Sequence, residues 1–260
     1  MPQVVFGFCG SQTRQLELPD AQVEVQPSVI WGPVEELFTP AFWAAHIWQC
    51  SLEGLLPTRH NLGSNLRGEV AACLLGGYGI PAEVGLAAYA RLSELHLLEG
   101  EATEAQIFEA LQRPLSIGAR QVRYRFARQK ASYLAATFAT LKRESPAETL
   151  TDREFRNWLL RLPGIGLKTA SWITRNLRDS DDVAIIDVHL YRAGRLAGVF
   201  PASATIERDY ERLEELFVAF AHAIDVRPSL LDAVIWAFMK RVGRLAISAL
   251  SERDGALAAA

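Results

Sequence analysis

The chain of 260 residues is half apolar and 22% charged, with Gly and Pro at ordinary levels, so it can build packed cores and is not mostly disordered. That length suits one large domain or two compact lobes. A formal net charge of −3 lacks the basic excess usual in nucleic-acid binders, so any DNA contact needs a local basic face masked in the sum by acids elsewhere.

The first 25 residues read as short strands, at 4–8, 16–18 and 23–25, from their apolar alternation. After Pro27 the texture becomes helical. Helices are predicted near 40–53, 65–76, 81–97, 103–112, 119–142, 152–161, 167–178, 188–196, 205–223 and 228–248, separated by Pro or Gly breaks. The chain is thus mostly α with a short β-containing segment at its front; strands that do not alternate with helices argue against a parallel α/β sheet. The expected divisions are 1–60, packing with the C-terminal helices; a helical lobe at 61–150; the paired helices of 151–200; C-terminal helices at 201–250; and a frayed, Ala-rich tail at 251–260. Cys9, Cys50 and Cys73 form no CxxC pair, so cysteine alone builds neither a zinc site nor an iron–sulfur cluster, and a reducing cytoplasm suits them. No secretory leader or membrane span is expected.

The most informative stretch is Leu162-Pro163-Gly164-Ile165-Gly166-Leu167-Lys168. Pro163 stops one helix, and the two glycines allow a tight turn and leave backbone N–H groups unobstructed. The next helix starts at once, so its free N–H groups and positive dipole end make an anion cradle suited to a DNA phosphate. Arg175 and Arg178, on that helix, are candidates to reinforce it. An αα-hairpin whose glycines merely permit close packing remains the ordinary alternative.

Residues 162–172 resemble the helix–hairpin–helix signature of a DNA glycosylase superfamily that includes endonuclease III, adenine glycosylases and 8-oxoguanine DNA glycosylases. Ile185-Ile186-Asp187-Val188-His189 follows, with Asp187 19 positions after Lys168, and this spacing resembles the 8-oxoguanine branch most. The resemblance implies a helix–hairpin–helix fold of two helical lobes, with Lys168 and Asp187 as catalytic residues. It also implies that Gly164, Gly166 and His189 meet DNA phosphate, with simple packing the ordinary alternative for His189.

These residue types suit the chemistry. Cleaving an N-glycosidic bond builds positive charge on the deoxyribose, which a carboxylate near C1′ stabilises. A neutral amine can then attack C1′ and form a Schiff base that permits β-elimination. Each residue also has an ordinary reading: Asp187 as a helix N-cap worth about 0.5–2 kcal/mol, and Lys168 as a solvated lysine. Their pairing behind this hairpin favours catalysis.

A glycosylase must hold a flipped base by stacking and edge contacts. Trp172 lies one turn after Lys168, where relatives of the human type carry a cysteine. By resemblance, Asp232 and Trp236 stand where the family places an edge reader and a second stacking face. A carboxylate there suits guanine, whose Watson–Crick edge presents donors; Asp232 as a satisfied cap and Trp236 as core are the ordinary readings. Arg120, Arg123, Arg125, Arg128 and Lys130 are expected on helix 119–142, mainly as scaffold with some phosphate contact. Tyr78 and Ile80, in a Gly-rich turn, are candidates for the wedge that fills the hole left by the base.

The expected function is a bifunctional glycosylase and β-lyase, acting as a monomer on 8-oxoguanine in double-stranded DNA. The expected setting is cytoplasmic, nucleoid-associated if bacterial. It implies no redox cofactor, catalytic metal or iron–sulfur cluster, with room for a structural monovalent ion at the hairpin as in relatives. Two alternatives stay open: a glycosylase of the same fold for another modified or alkylated base, and a non-catalytic DNA-binding hairpin.

Overall fold

The computed structural model describes residues 1–56, 61–77 and 79–259. Among them are ten helices and three two-stranded antiparallel pairs, so the fold is mostly helical as expected. The chain forms two compact units. One joins Met1–Thr58 to Asp181–Ala260; the other is Arg59–Ser180.

The first unit opens with β1 (Gln3–Cys9) paired to β2 (Gln12–Leu18), and β3 (Glu24–Gln26) paired to β4 (Val29–Ile30). On β1, Gly7 lies where a Cβ would come within 2.8 Å of the Leu52 side chain, so the hairpin can sit directly on α1 (Pro40–Leu52). Thr39 caps α1, and Pro40 occupies the first turn, where a missing N–H costs nothing. Phe38, Phe42 and Trp43 form an aromatic cluster with Phe238. Helices α8 (Val188–Leu196), α9 (Ile206–Ala223) and α10 (Pro228–Ala259) complete the unit.

The tail departs from expectation. It continues α10 to Ala259, and the reason is visible in its side chains. The Arg253 guanidinium donates to the carbonyls of Arg195 (2.9 Å) and Leu196 (2.6 Å), satisfying the open end of α8. Asp254 pairs with Arg195 at 2.6 Å.

The second unit contains α2 (Leu66–Leu75), α3 (Ala82–Glu94), α4 (Glu104–Gln112), a hairpin of β5 (Leu115–Ile117) and β6 (Arg120–Val122), then α5 (Ala127–Arg143), α6 (Asp152–Leu159) and α7 (Leu167–Arg178). Reciprocal capping boxes start α4, at Thr103 and Gln106, and α6, at Thr151 and Glu154. The predicted helix 119–142 begins late. Gly118 at φ +57° turns the chain into the β5–β6 hairpin, which pairs Leu115 with Val122. Arg120, Arg123 and Arg125 therefore precede α5; Arg128 lies on it, over the Phe108 ring at 4.8 Å.

A buried carboxylate organises this unit. Glu69 is fully buried on α2, and its Oε2 accepts the N–H groups of Leu62 and Gly63, both at 2.7 Å. Its Oε1 accepts from Asn176 Nδ2 at 2.5 Å, tying α2 to α7. A Cβ on Gly63 would lie 2.3 Å from the Glu69 nitrogen, so the loop passes too close for any side chain.

Removing such a carboxylate leaves its donors buried and unsatisfied. Glu69→Ala is expected to destabilise the protein by about 3 kcal/mol. Glu69→Gln, which keeps one acceptor, should cost less. Denaturant unfolding followed by tryptophan fluorescence checks the order.

Candidate functional site

In the second unit, α6 and α7 are joined by the Pro-Gly turn. The two glycines do different work. Gly164 adopts φ +79°, and a Cβ there would lie 2.3 Å from the Tyr133 ring of α5; the turn closes only because no side chain is present. Gly166 meets nothing within 4 Å, so the protein itself does not require a glycine there. It is the N-cap of α7 and offers no side-chain acceptor, so the first-turn N–H groups face open space uncapped. Thr137 donates to the Pro163 carbonyl at 3.2 Å, fixing the turn from behind.

Lys168 occupies the first turn of α7, half-buried. A second amine stands near it. Burial depresses the pKa of Lys130 on α5, and the positive charge of Lys168 depresses it further. The sequence places Lys130 on a helix read mainly as scaffold with some phosphate contact, with nothing to pair it with Lys168.

Trp172, one turn after Lys168, is half-buried. Its ring lies 3.1 Å from where a Cβ on Gly76 would be, so the glycine ending α2 makes room for it. The arginines of α7 depart from expectation. Arg175 is only 8% exposed and donates to Asn176 Oδ1 at 3.2 and 3.0 Å, inside the Glu69 network. Arg178 donates to the Leu150 carbonyl at 2.6 Å, pairs with Asp152, and covers the Phe155 ring at 4.2 Å. Both lock the hairpin internally and leave the anion cradle to backbone groups. Of the wedge candidates, Ile80 is half-buried against the core of this unit; Tyr78 lies outside the described residues.

The first unit holds Asp187, the N-cap of α8. Its Oδ1 accepts from the N–H groups of His189 (2.8 Å) and Leu190 (2.9 Å). Oδ2 accepts no hydrogen bond from a described residue, so one oxygen anchors the helix and the other is available.

The segment leading to Asp187 is held by three successive N–H groups, each accepted by a different side chain. Ala184 N–H donates to Glu214 Oε1 (3.2 Å), Ile185 N–H to Asp232 Oδ2 (3.0 Å) and Ile186 N–H to the Tyr210 hydroxyl (3.2 Å). Tyr210 O–H donates in turn to the Ala184 carbonyl at 3.0 Å. Backbone without a sheet partner is thereby satisfied, and Asp187 is held in place.

This placement alters the expectation for Asp232. It is 4% exposed, and its Oδ2 accepts from the backbone two residues before Asp187, a positioning contact beside the edge-reading expected of it. Neither Tyr210 nor Glu214 was singled out from sequence; no local spacing marks them, because their partners lie 26 and 30 residues away. Trp236 is 38% exposed, too open for core. The His189 ring stands edge-on to it at 6.4 Å, and the buried His189 Nδ1 has no partner among the described residues.

Residues 60–226 match the model of the Ogg-HhH family, described as 8-oxoguanine DNA glycosylase. The chain is 31% identical over 126 residues to an 8-oxoguanine DNA glycosylase/AP lyase of Metallosphaera sedula, covering 47% of this chain and 61% of that protein. It is 32% identical over 123 residues to one of Saccharolobus islandicus, covering 44% and 58%. The chain thus spans about three-fifths of the length of these relatives. Among solved structures, the 8-oxoguanine DNA glycosylase of Thermotoga maritima superposes with a TM-score of 0.53 at 24% identity, over 67% of this chain and 79% of that one. That of Methanocaldococcus jannaschii gives 0.53 at 26%, over 68% and 78%.

The backbone cradle predicts a local effect of Asp232→Ala. Amide hydrogen exchange at Ile185 should accelerate by one to two orders of magnitude, since a lost hydrogen bond to a charged group is worth about 1.5–3 kcal/mol. Unchanged protection there would show that Asp232 does not hold the segment.

Proposed function

Because this chain belongs to the Ogg-HhH family of 8-oxoguanine DNA glycosylases, we propose that it excises 8-oxoguanine from duplex DNA and then cleaves the abasic strand through a lysine Schiff base. The observation that carries this reading is the uncapped start of α7, with Lys168 in its first turn and open space over Gly166. Such a helix start holds a phosphate by backbone N–H groups and leaves the lysine beside the sugar.

The chemistry follows in two steps. As the glycosidic C1′–N bond breaks, the leaving base takes the electron pair and positive charge grows on the sugar. The free oxygen of Asp187 stabilises that charge. The Lys168 amine forms the new bond to C1′ with its lone pair and loses a proton; ring opening gives the iminium. Loss of the C2′ proton then expels the 3′ phosphate by β-elimination. The proton acceptors are the departing base and water, so the sequence needs no redox cofactor or catalytic metal.

Trp172 and Trp236 are the proposed stacking faces for the flipped base, and Gly164, Gly166 and His189 the proposed phosphate contacts. A monovalent ion at the hairpin would rest on turn carbonyls. Pro163 already gives one lone pair to Thr137 and has a second to offer. Ile80 remains the candidate wedge within the described turn.

Lys168→Gln is expected to abolish borohydride trapping on a duplex containing 8-oxoguanine opposite cytosine while retaining DNA binding. Trapping that survives the substitution would remove Lys168 from the mechanism. No trapping by the unaltered protein on this duplex, with trapping on another modified base, would move the substrate and keep the chemistry.

Asp187→Asn is expected to slow base release by about 10²–10³-fold in single-turnover assays, the usual effect of losing one charge-stabilising group. An unaltered rate would reduce Asp187 to a helix cap.

A further inference from the structure

Helices α8 and α10 pack together in the first unit, and α8 and the middle of α10 share an absence of acids. No Asp or Glu occurs from 188 to 205 or from 233 to 251, in a chain with 30 such residues; at the average frequency these stretches would hold about four. At the place where α10 breaks its helical geometry, Val242 (φ −102°, ψ 16°), a cleft of about 590 Å³ opens. Arg192 of α8 and Lys240, Arg241 and Arg244 of α10 line it, with Gly243 leaving one wall open.

These four cations form no ion pair with any described residue. Elsewhere in the same unit the arrangement is different: Arg195 pairs with Asp254, Arg208 with Asp209 and Arg227 with Asp181. Unpaired cations around one hollow repel one another, and a dianionic or polyanionic ligand relieves that repulsion.

The hollow also continues the site. The Lys240 ammonium lies 5.0 Å over the Trp236 ring, which meets His189, two residues after Asp187. From Trp236 to Arg244 the helix advances about 12 Å, the axial rise of a few nucleotides of one strand.

We propose that this cleft grips successive phosphodiesters of the DNA strand flanking the flipped nucleotide. It is a second phosphate site, built from side chains and separate from the backbone cradle of the hairpin. The proposal rests on the DNA-repair reading of Asp187 and Trp236. It also fits the net charge of −3: the acids lie outside the two stretches that build this cleft.

The test uses the whole 260-residue chain and binding alone. Affinity for a duplex carrying a non-cleavable abasic analogue is measured from 50 to 300 mM KCl, for the unaltered chain and for Arg192→Gln/Arg241→Gln/Arg244→Gln. A control, Arg14→Gln/Arg208→Gln/Arg212→Gln, removes the same charge elsewhere in the unit. Each lost phosphate contact lowers the slope of log affinity against log salt by about 0.9, so the cleft variant should lose about 1.8 or more and the control nothing. An unchanged slope in the cleft variant, or an equal loss in the control, overturns the proposal. Because no chemistry is read, failure of the unaltered protein to trap any modified base would strike the proposed reaction and leave this result standing.

Discussion

Helix α7 begins on a glycine with nothing to cap it, and much of the second unit serves to hold that bare end in place. Gly164 closes the turn against the Tyr133 ring because it has no side chain. Thr137 grips the turn from behind. At the other end of α7, Asn176 reaches the buried Glu69, and Arg178 ties back to the start of α6. The side chains of Asn176, Arg175 and Arg178 are committed away from the N-terminus of the helix. The unsatisfied N–H groups therefore stay directed outward, where an anion is their natural partner.

The first unit solves the complementary problem. Helix α8 is capped, and its cap is Asp187, so one carboxylate both starts a helix and keeps an oxygen free. A group doing two things must not move. Glu214, Asp232 and Tyr210 each accept one N–H from the three residues before it, which replaces the hydrogen bonds that a sheet would otherwise supply. Such preorganisation allows a carboxylate to stabilise developing charge without reorganising at the moment of reaction.

Charge follows the same division. Arg175 and Arg178, which the sequence places beside the cradle, are structural, while the arginines at the bend of α10 form no ion pair with a described residue. A basic side chain near an anion site in sequence is thus a poor guide to which cation meets the ligand. Whether a neighbouring acid neutralises it decides the matter.

Sequence alone determined the helical class, most element positions, and the pattern of hairpin, lysine and aspartate. These are local properties: caps, Pro and Gly breaks, apolar periodicity and motif spacing act within a few residues. Tertiary structure decided what depends on distant partners. The stretch 151–200, read as one piece, divides between the units at Ser180 and Asp181. Residues 115–122 pair as a hairpin because Gly118 turns them, and α10 continues because Arg253 finds the end of α8. Asp232 turns toward a backbone N–H 47 residues away, and Asn176 toward a carboxylate 107 residues away. The direction of a polar side chain is set by whichever unsatisfied group the fold brings beside it, and local spacing carries no record of that group.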